Sequence, residues 1–366
     1  MRIAIAGYGA VAEIHARKLA AEPEVRLTAV CGPRAGAAAD FAARHCIGRY
    51  CDELDEALRE ADAIVIASPT TFHAEQALRA LQAGVNVLVE LPPCTRMFEA
   101  EKLAEKASVA GVVLQCAHTS HYLTPYQRLG EWIREGRLGE IQQLHYLRHM
   151  QPRQRSWVDD ALLHHAAHAV DLLLYWFGRF KASGCLTIPA KGAAETVSLL
   201  AASSEGAPLV VSISYASRLP QAHVIVVGER HTVATDGFTY LQSDDSGMSY
   251  TGDMQQTYEA AIEWQDAAFL RACRGDHAGV PWSHTCKLVR AIAEFRGLAD
   301  RGSDRIKSQY CSLKDLMDFL PVVRLRRSRT NLPVPAHFPL NASCILTPVP
   351  RRYSLFEDFV KNDATV

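Results

Sequence analysis

Short apolar runs alternate with helix-period segments along the first third of the chain. Residues 2–6, 26–30, 63–67, 86–90 and 112–115 each predict a strand. Residues 63–67 are apolar at every position, which predicts a strand covered on both faces rather than one with a wet side. Between these runs lie predicted helices over 13–21, 36–44, 52–60, 74–83 and 98–110. Strand and helix in repeated alternation build right-handed crossovers, and hence a doubly wound parallel sheet.

The pattern changes near residue 120. Helices are predicted over 126–135 and 162–177, the second ended by Gly178. Residues 196–202, 209–216 and 223–227 then alternate apolar and polar positions, as half-wet strands of a largely antiparallel sheet do. Glu205-Gly206 and Glu229-Arg230 mark hairpin turns, and 256–272 and 283–299 are late helices. The fold class is therefore α/β, a Rossmann-type domain over 1–120 followed by an α+β substrate and oligomerisation domain over 121–305. Residues 306–366 are proline-rich, with Arg324, Arg326, Arg327 and Arg329 close together. They are expected to form an extended tail, an oligomer arm or packing strap with the arginines on a solvated face.

Composition narrows the function. The 366 residues carry a formal charge of −1, with no basic stripe for nucleic acid and no acidic tract. No apolar run is long enough to span a bilayer. The ten cysteines show no C-x-x-C pairing, which suits buried thiols in a reducing cytoplasm. Met1 leads straight into the first strand, so no signal peptide is expected.

The most informative chemistry follows the first strand at once. Gly7-Tyr8-Gly9-Ala10-Val11-Ala12 has the form G-x-G-x-x-A between a strand and a helix. A strand ending in such a turn aims the next helix's unpaired N–H groups at a dinucleotide pyrophosphate. The second strand closes with Val30-Cys31-Gly32-Pro33-Arg34. No carboxylate stands there to take the ribose hydroxyls of NAD, and Arg34 offers a fork for a 2′-phosphate. NADP(H) is favoured over NAD(H), although Arg34 can equally be the first residue of a solvated helix.

With these pieces in place the chain resembles the Gfo/Idh/MocA oxidoreductase family over roughly residues 1–300. The resemblance rests on the glycine turn, Ser68-Pro69-Thr70 with His73, Glu90-x-Pro92, and Arg137-Leu138-Gly139-Glu140-Ile141. It also rests on His168-x-x-Asp171-Leu172 before Trp176-Phe177-Gly178. The resemblance implies an NAD(P) cofactor held by Gly7 to Ala12, Arg34, Ser68, Pro69, Thr70, His73, Glu90 and Pro92. It implies hydride transfer to or from a small cyclic or hydroxylated substrate, and pairing of subunits as a homodimer or homotetramer through the second domain's sheet. His168 falls on the family's catalytic position.

Three positions depart from the family pattern. Leu91 stands where a lysine is usual, and it has no donor, acceptor or charge. His164 replaces the usual aspartate four residues before His168, and His121 replaces a frequent arginine. At spacing i, i+4 on the predicted helix, His164 and His168 share a face, with His165 turned off it. Imidazoles that titrate near neutrality can take over proton exchange, so His168, His164 and His121 are the candidate catalytic residues. His118, Tyr122, Arg153, Arg155 and Asp171 are candidate substrate contacts, and Asp171 can instead orient the His168 ring. The oxidoreductase reading needs no metal. An alternative places a divalent ion on His164 and His168, with His118, His121 or Glu90, in a non-redox lyase, decarboxylase or hydrolase. A third possibility is a dinucleotide-binding protein without catalysis.

Overall fold

A computed structural model describes residues 1–152, 160–189 and 192–318, with side chains described through residue 301. The first layer of the chain is the expected alternation: β1 (Arg2–Ala6), α1 (Ala10–Ala20), β2 (Arg26–Cys31), α2 (Ala35–Arg44), β3 (Tyr50–Cys51), α3 (Leu54–Leu58), β4 (Ala63–Ile66), α4 (Thr70–Gln82), β5 (Asn86–Glu90), α5 (Met97–Ala110) and β6 (Leu114–Ala117). All neighbouring strands pair parallel in the order β3-β2-β1-β4-β5-β6. The order reverses between β1 and β4, so a crevice opens there beyond the strands' C-terminal ends, where open α/β sheets bind ligands. Residues 63–66 are buried at every position, as helices on both faces require.

The second part holds α6 (Thr124–Arg134), β7 (Ile141–His149), α7 (His165–Phe177), β8 (Phe180–Ile188), β9 (Thr196–Ser203), β10 (Pro208–Ser214), β11 (Gln221–Gly228), β12 (Thr232–Thr235), β13 (Tyr240–Ser243), β14 (Tyr250–Thr251), α8 (Met254–Cys273) and α9 (Trp282–Asp318). Its eight strands run β14-β13-β12-β11-β7-β10-β9-β8. Only β7 and β10 pair parallel; the other contacts are antiparallel. Val197, Leu199, Val211, Ile213, Val224 and Val226 face inward onto Val170, Leu173, Leu288 and Phe295 of α7 and α9. The opposite face carries Ser198, Ser212 and Ser214, and at its β8–β9 end the exposed Leu186, Ile188 and Leu200.

Two features depart from the linear division of the chain. The final helix does not stop near 299; it continues through Asp318, past the expected boundary at 305. Residues 319–366, with the arginine cluster, lie outside the described residues. The helix α8 falls within the 121–305 segment yet buries Phe269 and Leu270 among Ile3, Ile5 and Leu19 of the first domain. Arg17–Glu259 and Lys18–Glu263 ion pairs flank that contact at 2.7 and 2.8 Å. An apolar helix face goes to whatever surface covers it, and here the uncovered surface is α1. Among the described residues no helix is long and apolar enough to cross a membrane.

Candidate active site

The glycine turn is built as its sequence requires. Gly7 sits at φ +107°, and a Cβ there would lie 2.4 Å from the Ala67 carbonyl oxygen. Only glycine serves at that crossing of β1 and β4. Gly9 caps α1, and no side chain bonds to the helix end. The amides opening the helix at Ala10, Val11 and Ala12 are thus available to an anion. Tyr8 turns its ring over Gly32, whose missing Cβ would be 2.2 Å from the ring edge. The Tyr8 hydroxyl accepts from the Arg34 backbone N–H at 3.2 Å and from its Nε at 3.4 Å. This holds the exposed guanidinium beside the end of β2.

Across the crevice, Pro69 caps α4 and Thr70 is its first residue. Ser68 Oγ donates to Gln76 Oε1 at 2.6 Å. His73 is buried, with Nδ1 2.9 Å from the Pro92 carbonyl and Nε2 2.7 Å from the Ser68 carbonyl. It braces the two loops against each other rather than lining the crevice. Leu91 is buried in the second domain's core, so the position usual for a lysine serves packing here.

Glu90 has a partner no sequence pattern singled out. His15, fully buried on α1, places Nε2 3.0 Å from Glu90 Oε1 and Nδ1 2.8 Å from Asp266 Oδ2. Burial opposes its protonation, but the two carboxylates outweigh that and raise its pKa to about 10. An imidazolium donating from both nitrogens therefore ties the end of β5 to α8. His15 reads in sequence as one residue of an ordinary helix, and its partners lie 75 and 251 positions away.

The expected histidine pair is rearranged. The helix α7 begins at His165, and His164 precedes it with φ −102° and ψ −87°. His164 and His168 therefore do not lie on one regular helical face, and their ring centroids are 6.1 Å apart. The preceding turn is shaped by Asp160, whose Oδ1 accepts from Leu162 and Leu163 while Oδ2 pairs with Arg296. His165 is not a surface residue: its Nδ1 is 2.8 Å from the Tyr215 hydroxyl. Burial, then the nearby His164 and Arg148, push the His168 pKa down to about 3. It is a neutral imidazole throughout the physiological range.

Asp171 does not orient His168 through a hydrogen bond. Its Oδ1 lies 2.9 Å from His118 Nδ1 and 2.8 Å from His284 Nε2, and its Oδ2 lies 3.1 Å from His121 Nε2. Burial raises its carboxyl pKa, but His118 and His121 outweigh that and hold it well below the usual range. His118 Nε2 is 2.9 Å from Thr285 Oγ1, and His121 stacks on Tyr175 at 4.3 Å. His118, His121 and Asp171, expected as separate catalytic and substrate contacts, thus form one buried cluster, completed by His284. Tyr122 is half-buried against the second domain's core. Arg153 and Arg155 lie outside the described residues. Among the described residues the alternative ion on His164 and His168 gains no third ligand, and a group of metal-ligating side chains forms instead at His118, His121, Asp171 and His284.

The glycine crossing, the uncapped α1 terminus and the topological switch point together fit a dinucleotide. Comparison with known proteins agrees. Residues 1–118 match the family model described as an oxidoreductase family with an NAD-binding Rossmann fold. Residues 126–234 match the GFO/IDH/MocA C-terminal domain. The chain is 30% identical over 292 residues to 4-carboxy-2-hydroxymuconate-6-semialdehyde dehydrogenase of a Sphingobium species, covering 75% of this chain and 90% of that one. It is 32% identical over 144 residues to D-glucoside 3-dehydrogenase of Escherichia coli, covering 38% and 41%. Among solved structures, GenD2 from gentamicin A biosynthesis in complex with NAD superposes with a TM-score of 0.72 at 22% identity, covering 82% and 94%. UDP-N-acetylglucosamine 3-dehydrogenase from Acidithiobacillus ferrooxidans does so at 0.70 and 24%, covering 82% and 98%.

Proposed function

The chain belongs to the Gfo/Idh/MocA family of NAD(P)-dependent oxidoreductases, and from that premise we propose that it acts on a small carboxylated substrate at a hydroxyl or aldehyde carbon, with His164 exchanging the proton. A bound nicotinamide dinucleotide supplies the hydride acceptor or donor. The chain's own residues must then hold the substrate and move one proton to or from its oxygen.

Two groups divide that work. His168, with its pKa near 3, stays neutral and serves as a hydrogen-bonding group, not as a proton reservoir. His164 keeps partial exposure at the mouth of α7 and lies near enough to influence His73 electrostatically, which sets it beside the Ser68 and Pro92 loops. Arg148 acts on His168 as a nearby cation, and a fixed positive charge beside the reacting group favours an anionic substrate. What supports the reading is this charge arrangement: Leu91 puts no cation at the end of β5, and Arg148 lies near enough to His168 to disfavour its protonation. The Sphingobium relative, named for a carboxylated semialdehyde, is matched over 90% of its length and 75% of this chain's.

For the cofactor we propose NADP(H), on the grounds that β2 ends without a carboxylate and Tyr8 holds Arg34 beside it. We further propose that the subunits pair through the outer sheet face bearing Leu186, Ile188 and Leu200.

The test is reduction of NADP⁺ and NAD⁺ by purified enzyme over three substrate groups: carboxylated semialdehydes, inositols and glucosides. Turnover of the first group alone is expected. In His164→Ala, kcat with the best substrate should fall by roughly 10²- to 10⁴-fold, the usual worth of a positioned proton-transfer group. Turnover of inositols without carboxylated compounds overturns the substrate class, and kcat within a few-fold of wild type removes His164 from the chemistry.

A further inference from the structure

We propose that His118, His121, His284 and Asp171 form a zinc site joining the end of β6, the middle of α7 and the start of α9. This goes beyond the hydride chemistry and does not depend on it.

The four side chains converge with one potential ligand atom each, all within 4.8 Å of one another. His118, His121 and Asp171 are almost completely buried, and the His284 side chain is 15% exposed. Three imidazoles and one carboxylate are a borderline nitrogen and oxygen set, of the kind Zn²⁺ takes in four-coordinate sites. The present N···O distances of 2.8–3.1 Å are a few tenths shorter than the roughly 3.3 Å edge of a tetrahedron with ~2.0–2.1 Å bonds. Small shifts meet that geometry, outward at the short Asp171 contacts and inward where ligand atoms stand up to 4.8 Å apart.

Hydrogen bonding alone leaves this cluster incomplete. His121 Nε2 and Asp171 Oδ2 are 3.1 Å apart, yet neither makes a hydrogen bond. Two buried polar atoms aimed at one point without a bond between them are costly unless something else satisfies them. A divalent cation does so, accepting the lone pair of each. The surroundings suit it as well. Thr285 Oγ1 faces His118 Nε2 at 2.9 Å, and by accepting from an Nε2–H it fixes the tautomer that turns the Nδ1 lone pair inward. In His118 the ring proton then sits on Nε2, toward Thr285, and Nδ1 faces the ion. Sequence spacing hides the site, because its ligands come from positions 118, 121, 171 and 284.

The experiment is elemental analysis of the untagged full-length protein as purified, followed by chelator treatment and titration with Co²⁺. About one divalent metal per chain is expected, as are the visible bands of four-coordinate cobalt. Zn²⁺ should displace those bands and raise Tm, since a ligand held only by the folded state stabilises it. His284→Ala, whose partly exposed side chain makes a fold-disrupting effect smaller, should abolish the bands while circular dichroism stays native. Thr285→Val should weaken Zn²⁺ binding by ~10–100-fold, the usual effect of losing an outer-shell partner. Metal-free protein that develops no cobalt bands overturns the site, and so do bands that persist unchanged in His284→Ala.

Discussion

At the residue scale, two histidines, His15 buried and His168 half-buried, have opposite charge states, and each sets one limb of the stability–pH curve. His15 has a folded pKa near 10 against an ordinary 6.5. Its contribution is fully present below about pH 6.5 and is lost as the pH rises through 10. His168 has a folded pKa near 3, so the unfolded chain takes up a proton that the folded one refuses. Its contribution is present above about pH 6.5 and declines as the pH falls toward 3. Melting temperatures from pH 5 to 10 should therefore trace a dome. His15→Gln is expected to flatten its alkaline limb, and His168→Phe its acid limb. An alkaline slope identical in His15→Gln and wild type would mean that the imidazolium does not link α1 to α8. His168 was visible in the sequence as a candidate, but its charge was not. A pKa depends on enclosure and on neighbours such as Arg148, which reach it only through the fold.

At the element scale, the strand–turn–helix unit of β1 and α1 was legible in full. Gly7 stands where the backbone needs it, and the crossing against Ala67 O leaves no alternative. The end of β2 was legible in its missing carboxylate, while the Tyr8 support for Arg34 was not. Arg34→Asp should therefore raise the Kd for NADPH by at least ~10-fold, about 1.4 kcal/mol, with a smaller change for NADH. Fluorescence titration checks this, and equal losses for both nucleotides would place Arg34 outside the 2′-phosphate site. The helix α7 shows the limit of periodicity. Its apolar spacing predicts a start at 162, but Asp160 draws the Leu162 and Leu163 amides into a turn and the helix begins three residues later. That shift breaks the i, i+4 geometry of His164 and His168, which no count of spacing can reveal.

At the scale of the whole molecule, the eight-stranded sheet presents one face to α7 and α9, and among the described residues its other face exposes Leu186, Ile188 and Leu200. Exposed apolar residues on neighbouring strands mark a surface suited to burial by a partner. Sedimentation at micromolar concentration should show a dimer or larger assembly. The double substitution Leu186→Lys with Leu200→Lys should shift it toward monomer, because an isologous contact places each charge near its own copy. A monomeric wild type would remove the sheet face as an interface.

The amino-acid sequence by itself determined the alternation of the first domain, the dinucleotide turn and the family, since these rest on local periodicity and on residues adjacent in the chain; the strands β3, β8 and β12 to β14 carried no such signal. Tertiary structure alone decided three things: that α8 returns to the first domain, that His15 bridges Glu90 and Asp266, and that Asp171 gathers His118, His121 and His284. Each joins side chains separated by tens to hundreds of positions. Such contacts are chosen by which apolar faces cover one another, and the polar groups carried on those faces meet only as a consequence.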